Sequence, residues 1–140
     1  MAITSAIATS FKVEILKGVH NFTASSGNTF NLALYTSDAS LGAATTAYTT
    51  SNEVSGSGYT AKGNALTSVT PVASSTTAVC DFADTSFTSA SFTARGCMIF
   101  NDSASGDPTV FVIDFGSDKT VTSGTFTIQF PTADASNAII

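Results

Sequence analysis

Asn28-Thr29-Phe30-Asn31-Leu32-Ala33-Leu34-Tyr35-Thr36 sets the reading of the whole chain. Phe30, Leu32 and Leu34 interleave with Asn31, Ala33 and Tyr35, the period-two pattern of a strand with one face buried. Ser37-Asp38-Ala39-Ser40, directly after it, is built from turn residues. The same alternation returns downstream. Val110–Phe115 is nearly continuous in apolar residues, and Thr125–Phe130 alternates Phe126, Ile128 and Phe130. Further strands are expected over 59–68, 76–83 and 94–101. Asn101-Asp102-Ser103-Ala104-Ser105-Gly106-Asp107-Pro108 reads as a hairpin loop, and Gly116-Ser117-Asp118-Lys119 with Ser123-Gly124 as the bounds of another turn. Residues 41–58, small and polar and ending in Ser55-Gly56-Ser57-Gly58, predict a long surface loop. Short strands spaced by such turns predict a mainly β chain, an antiparallel β-sandwich or jelly roll.

Upstream the period changes. Ile3, Ile7, Phe11 and Ile15 recur every four residues with Leu16 beside them, and Lys17-Gly18 is a helix-ending pair. One N-terminal helix is therefore expected over about 4–17, packed on the sheet. Its polar face lacks the Lys/Arg row of a membrane-surface helix. With no linker or repeat, the expected organisation is one domain over 1–140: the helix, then a β domain over about 28–140.

Composition narrows the function classes. Charged residues are 11% of the 140, where an ordinary soluble domain carries roughly 25%. A surface so poor in charge is expected to be partly covered by other subunits. The net charge of −5 and the scatter of Lys12, Lys17, Lys62, Arg95 and Lys119 exclude the basic patch that nucleic acid requires. The first residues have no basic region ahead of an apolar run, and no stretch reaches the ~18 apolar residues of a membrane helix. The expectation is a chain made in the cytoplasm, soluble or built there into something larger.

Candidate chemistry gives little. His20 follows the helix end and reads as a turn residue, with no Gly-x-Ser-x-Gly elbow anywhere. Cys80 and Cys97 do not match zinc spacings and read as small buried hydrophobes; they could meet across strands, but a reducing cytoplasm argues against a bond. Asp114-Phe115-Gly116 matches a kinase tripeptide without the rest of the kinase set. Gly56-Ser57-Gly58 lacks the context of a nucleotide loop. Asp102, Asp107, Asp114 and Asp118 cluster in sequence but do not have calcium-loop spacing, and read as turn formers. The sequons at Asn21 and Asn101 carry no meaning without a secretory signal. No cofactor or metal is expected, and no enzymatic activity.

Two stretches carry a family resemblance. Asn52-Glu53-Val54-Ser55-Gly56-Ser57-Gly58-Tyr59 resembles the Asn-Glu-Val-Ser-Gly-x-Gly-Tyr signature of small virion structural proteins of tailed bacteriophages. Phe92-Thr93-Ala94-Arg95-Gly96, Ile99-Phe100-Asn101-Asp102, Gly106-Asp107-Pro108, Asp114-Phe115-Gly116-Ser117-Asp118 and Gly124-Thr125-Phe126-Thr127-Ile128 are similar to a second stretch of those proteins, and the Met1–Ser5 opening with Phe11-Lys12 resembles their N-terminal helix. The resemblance implies a particle component assembled in the bacterial cytoplasm and implies no catalytic residue. Its expected partners are the major capsid protein or other virion proteins and further copies of itself, a trimer being favoured. A capsid decoration or cement protein ranks first, a tail, neck or fibre component second, and a carbohydrate-binding module third, since Trp is absent and Tyr35, Tyr48 and Tyr59 are the only tyrosines. The candidate intersubunit contacts are Glu53, Tyr59, Arg95 and the apolar Ile139 and Ile140, which are expected to add a strand or dock on a neighbour.

Overall fold

The computed structural model describes residues 2–137. Its strands are β1 (Ala6–Ile7), β2 (Phe30–Tyr35), β3 (Asn64–Ala65), β4 (Ser68–Ser74), β5 (Thr77–Phe82), β6 (Thr85–Asn101) and β7 (Thr109–Ile128), with one helix, α1 (Thr9–Leu16). The fold is mainly β and antiparallel with one N-terminal helix, as the alternation predicts. A five-stranded sheet runs β1-β7-β6-β2-β3, and β4 with β5 makes a separate two-stranded arm.

The rows across the main sheet explain its core. Leu32 stands opposite Ile99, which stands opposite Phe111; one residue along, Ala33, Met98 and Val112 make the next row. Side chains of neighbouring rows point to opposite faces. The first row joins a cluster with Phe11, Phe22, Phe82, Phe87 and Phe92, and the second a smaller one with Ile3, Tyr35, Leu41 and Phe100. Both faces are covered, so β2 is buried along its whole length rather than on one face. The 36–50 segment supplies the second cover through Ala39, Leu41 and Tyr48. The segment over 41–58 is a largely exposed loop, as expected, and its Leu41 and Tyr48 also pack on this face.

The helix is shorter than the expected 4–17. Ile3 bridges to Leu41 and Ile7 pairs with Phe111, so the first two members of the four-residue stripe belong to sheet pairings. The helix opens where the Ala8 N–H donates to the Val110 carbonyl and the Thr9 N–H to that of Ala43, backbone partners that replace a side-chain cap. It ends as expected at Gly18, whose φ is +73°. Of the stripe, Phe11 alone is buried on α1.

Two further expectations change. Residues 59–68 are mostly loop, and the strand β4 starts only at Ser68; Pro71, which breaks its alternation, sits at a register shift between Val69 and Val72, on an edge. The glycine-rich points at 116–119 and 123–124 are bulges inside β7, not turns. Between the pairs Ala94–Lys119 and Gly96–Asp114, Arg95 of β6 lies opposite four residues of β7, Phe115 to Asp118. Between Phe92–Val121 and Ala90–Gly124, Ser91 lies opposite Thr122 and Ser123. A third bulge puts Thr88 and Ser89 opposite Thr125 and partly restores the register.

Candidate functional site

The segment Asn52–Gly63 runs along the free edge of β2 and closes it. Val54 donates its N–H to the Leu34 carbonyl at 2.9 Å, and the Leu34 N–H donates back to the Tyr59 hydroxyl at 2.9 Å. Asn64 and Ala65 then pair with Leu32 and Asn31. An open β2 edge would be a template for foreign strands; here it is occupied. Gly63 permits this approach, and Gly58 lets the same segment lie against β6. A Cβ on Gly58 would meet the Thr88 carbonyl oxygen at 2.6 Å, and one on Gly63 would run into that of Leu32.

Glu53 ties this segment together. Its Oε1 accepts from the Tyr59 hydroxyl and from the Lys62 N–H, both at 2.7 Å, and its Oε2 accepts from the Tyr48 hydroxyl at 2.6 Å. Burial, then the Glu53 carboxylate, pushes the Tyr48 hydroxyl up to about 12. Tyr59 and Tyr35 are held well above the ordinary tyrosine value, burial again being the larger cause. Lys62 has a φ of +74°, a strained conformation for a side-chain-bearing residue. Its Nζ lies 2.7 Å from Asp102 and 2.8 Å from Asp107, over the rings of Tyr48 and Phe100. The two carboxylates raise the pKa of this ammonium, so it stays protonated and is a poor nucleophile. Two of the clustered aspartates thus hold a lysine across the β6–β7 loop.

Arg95 and the other two aspartates serve the large bulge. Arg95 Nε donates to Asp114 Oδ1 at 2.9 Å, and its Nη1 lies 3.8 Å from Asp118. Asp114 Oδ1 also accepts from the Gly116 N–H at 2.9 Å. That bond, then Arg95, holds the Asp114 carboxyl below the usual aspartate range. One guanidinium therefore pins both ends of the insertion facing it.

His20 is not a turn residue but a buried one. Its Nε2 lies 2.7 Å from Glu14 Oε2, and its ring packs against Phe11, Phe22 and Phe30. Asn101 Oδ1 accepts from the Ser103 and Ala104 N–H groups, which turns Nδ2 toward His20 Nδ1 at 3.1 Å. Nδ1 is then the acceptor, and Nε2 carries the proton donated to Glu14. Both ring nitrogens are committed. The sequence signal was the pairing of an acid inside the helix with a histidine just beyond its end.

The expected contact residues are thus scattered. Glu53 and Tyr59 meet each other; Arg95 lies on β6 with its own aspartates; Ile139 and Ile140 lie outside the described residues. Cys80 and Cys97 are both free thiols. Sequence reasoning missed Tyr48 and Lys62, whose partners come from separate loops. Among the described residues no three His, Cys, Asp or Glu side chains gather to hold a metal, and no helix is long and apolar enough to cross a membrane. In comparisons with known proteins, no family model, no curated protein and no solved structure matches the chain.

Proposed function

We propose that the chain is a structural component of a tailed-phage particle, a capsid decoration or cement protein that binds the outside of the head shell and works by assembly rather than catalysis. The observation that carries this reading is what the motif residues do. Glu53 and Tyr59 close the edge of β2, Gly58 lets the same segment lie on β6, and Arg95, Asp114 and Asp118 fix the β7 bulge. Motifs spent on the shape of a framework fit a protein whose product is its shape. A tail, neck or fibre position would use the same framework, and is the second reading. The tyrosines favour structure over sugar binding: Tyr35 is buried, Tyr48 stacks on Phe100 and Tyr59 on Phe87.

Cryo-electron microscopy of the purified particle, with copy number from quantitative mass spectrometry, tests the reading. Many copies spread over the shell support decoration. A few copies in a ring at the tail transfer the chain to the second reading, and absence from the particle sinks both.

A further inference from the structure

Among the described residues the exposed large apolar side chains fall into two patches. Val13, Ile15, Leu16 and Val19 lie on and just after α1, with Leu16 89% exposed; Val69 and Val72 lie on β4. The patches differ in charge. Lys12 and Lys17 flank the first, and neither makes an ion pair among the described residues. Glu14, the one acid of the helix, is taken up by His20. In the second, Val69 stands directly opposite Asp81, and Asp84 follows just beyond β5. Opposite residues of an antiparallel pair share a face, so the valine and the carboxylate stand side by side.

We infer that the chain binds a second copy of itself, α1 of one copy docking on the exposed Val69 and Val72, with Asp81 beside Val69, on the β4–β5 arm of the next. This rests on the reading that the chain works by assembling. Clustered exposed apolar side chains mark an association surface, and opposite charge around them selects the face and orientation. At a net charge of −5 two copies repel in most orientations. Lys62 and Arg95 are tied to aspartates of their own chain, and Lys119 donates to Ser117. The α1 patch sets two cations, without an acidic partner among the described residues, beside strongly exposed apolar side chains, and so can meet an acidic, apolar partner face. The β4 edge is interrupted by Pro71 and a register shift, so the arm offers its face rather than a ladder for strand addition. The two patches are unlike, which makes the contact heterologous: it generates a ring or a filament, or a pair when made reciprocally.

Sedimentation of the full chain over a concentration series tests this. Wild type self-associates; Leu16→Asp, Lys17→Glu and Asp81→Lys each weaken association by about tenfold or more, and Lys17→Glu with Asp81→Lys recovers most of the loss. Leu16 is so exposed that Leu16→Asp leaves the thermal melt of the monomer in place, which separates lost association from lost folding. A wild type that stays monomeric throughout, or a double variant no better than either single one, overturns the inference. Self-association that ignores all these substitutions overturns the two surfaces while assembly stands. The particle reading fails separately, by absence of the chain from purified virions.

Discussion

Glu53 and Tyr59 close a hydrogen-bonded circuit on the edge of β2: the tyrosine hydroxyl donates to Glu53 Oε1 at 2.7 Å while accepting the Leu34 N–H at 2.9 Å. One carboxylate thereby secures a backbone donor of the central sheet that it never touches. Its other bonds, to Tyr48 and Lys62, draw two loops onto the same anchor.

Glu53→Ala leaves two hydroxyls and one N–H without their charged acceptor, at a cost of about 2–3 kcal/mol. Urea unfolding monitored by circular dichroism measures it. A loss under about 0.5 kcal/mol would show that water replaces the carboxylate and that the circuit is incidental.

Burial, and after it the same carboxylate, sets the alkaline limit. Unfolded tyrosines ionise near 10, whereas folding raises Tyr48 to about 12 and Tyr35 and Tyr59 as well. A raised folded value means the contribution is complete below about 10 and is lost as pH climbs through the folded values. Ultraviolet titration of the native chain is expected to show little tyrosinate before pH about 11. Glu53→Gln, which removes the nearby negative charge, shifts the onset downward; an unchanged onset would exclude Glu53 as a cause.

Asp114 works in the opposite direction. Its folded carboxyl is depressed by the Gly116 N–H and by Arg95, so its stabilisation is present above the ordinary aspartate value of about 4 and fades as pH falls below it. Asp114→Asn should lower the melting temperature at neutral pH and match wild type in strong acid. Curves that stay parallel down to low pH would contradict the assignment.

Two glycines with positive φ separate close approach from conformation. Gly63→Ala drives a methyl into the Leu32 carbonyl and should cost more than about 3 kcal/mol, whereas Gly106→Ala, with open space around it, should cost about 1 kcal/mol. Equal losses in thermal melts would mean that the 52–63 segment does not lie tightly on β2.

Burial pushes the Cys97 thiol up to about 12, and raises Cys80 less. Thiol titration of the native chain should label Cys80 first and Cys97 only on unfolding. Rapid labelling of both would place Cys97 outside the core.

What the sequence disclosed depended on whether a signal was local. The alternation of Phe30, Leu32 and Leu34 is local, and β2 lies where it points. That Asn31, Ala33 and Tyr35 are buried too depends on Leu41 and Tyr48 folding back over the sheet, which no period records. Gly116 and Ser123 carry real backbone signals, with φ of +79° and +46°. A bulge and a turn use the same residues, and the pairing to Arg95 and Ser91 decides between them. Ile3 and Ile7 mimic a helical stripe because their spacing also suits two separate bridges. The Asn52–Tyr59 segment was conspicuous as a motif, yet its role depends on Tyr48, Lys62 and Leu34, each reached only through the fold.

The long β6–β7 hairpin has a consequence for how the chain is made. Phe30–Tyr35 is an uncharged strand without proline or glycine, and its ladder partner is Gly96–Asn101, far along the chain. During translation β2 leaves the ribosome well before that partner exists, with both faces and one edge bare. Such segments seed aggregation when left waiting. Synthesis rate and chaperone supply, more than the stability of the finished sheet, should therefore set the soluble yield.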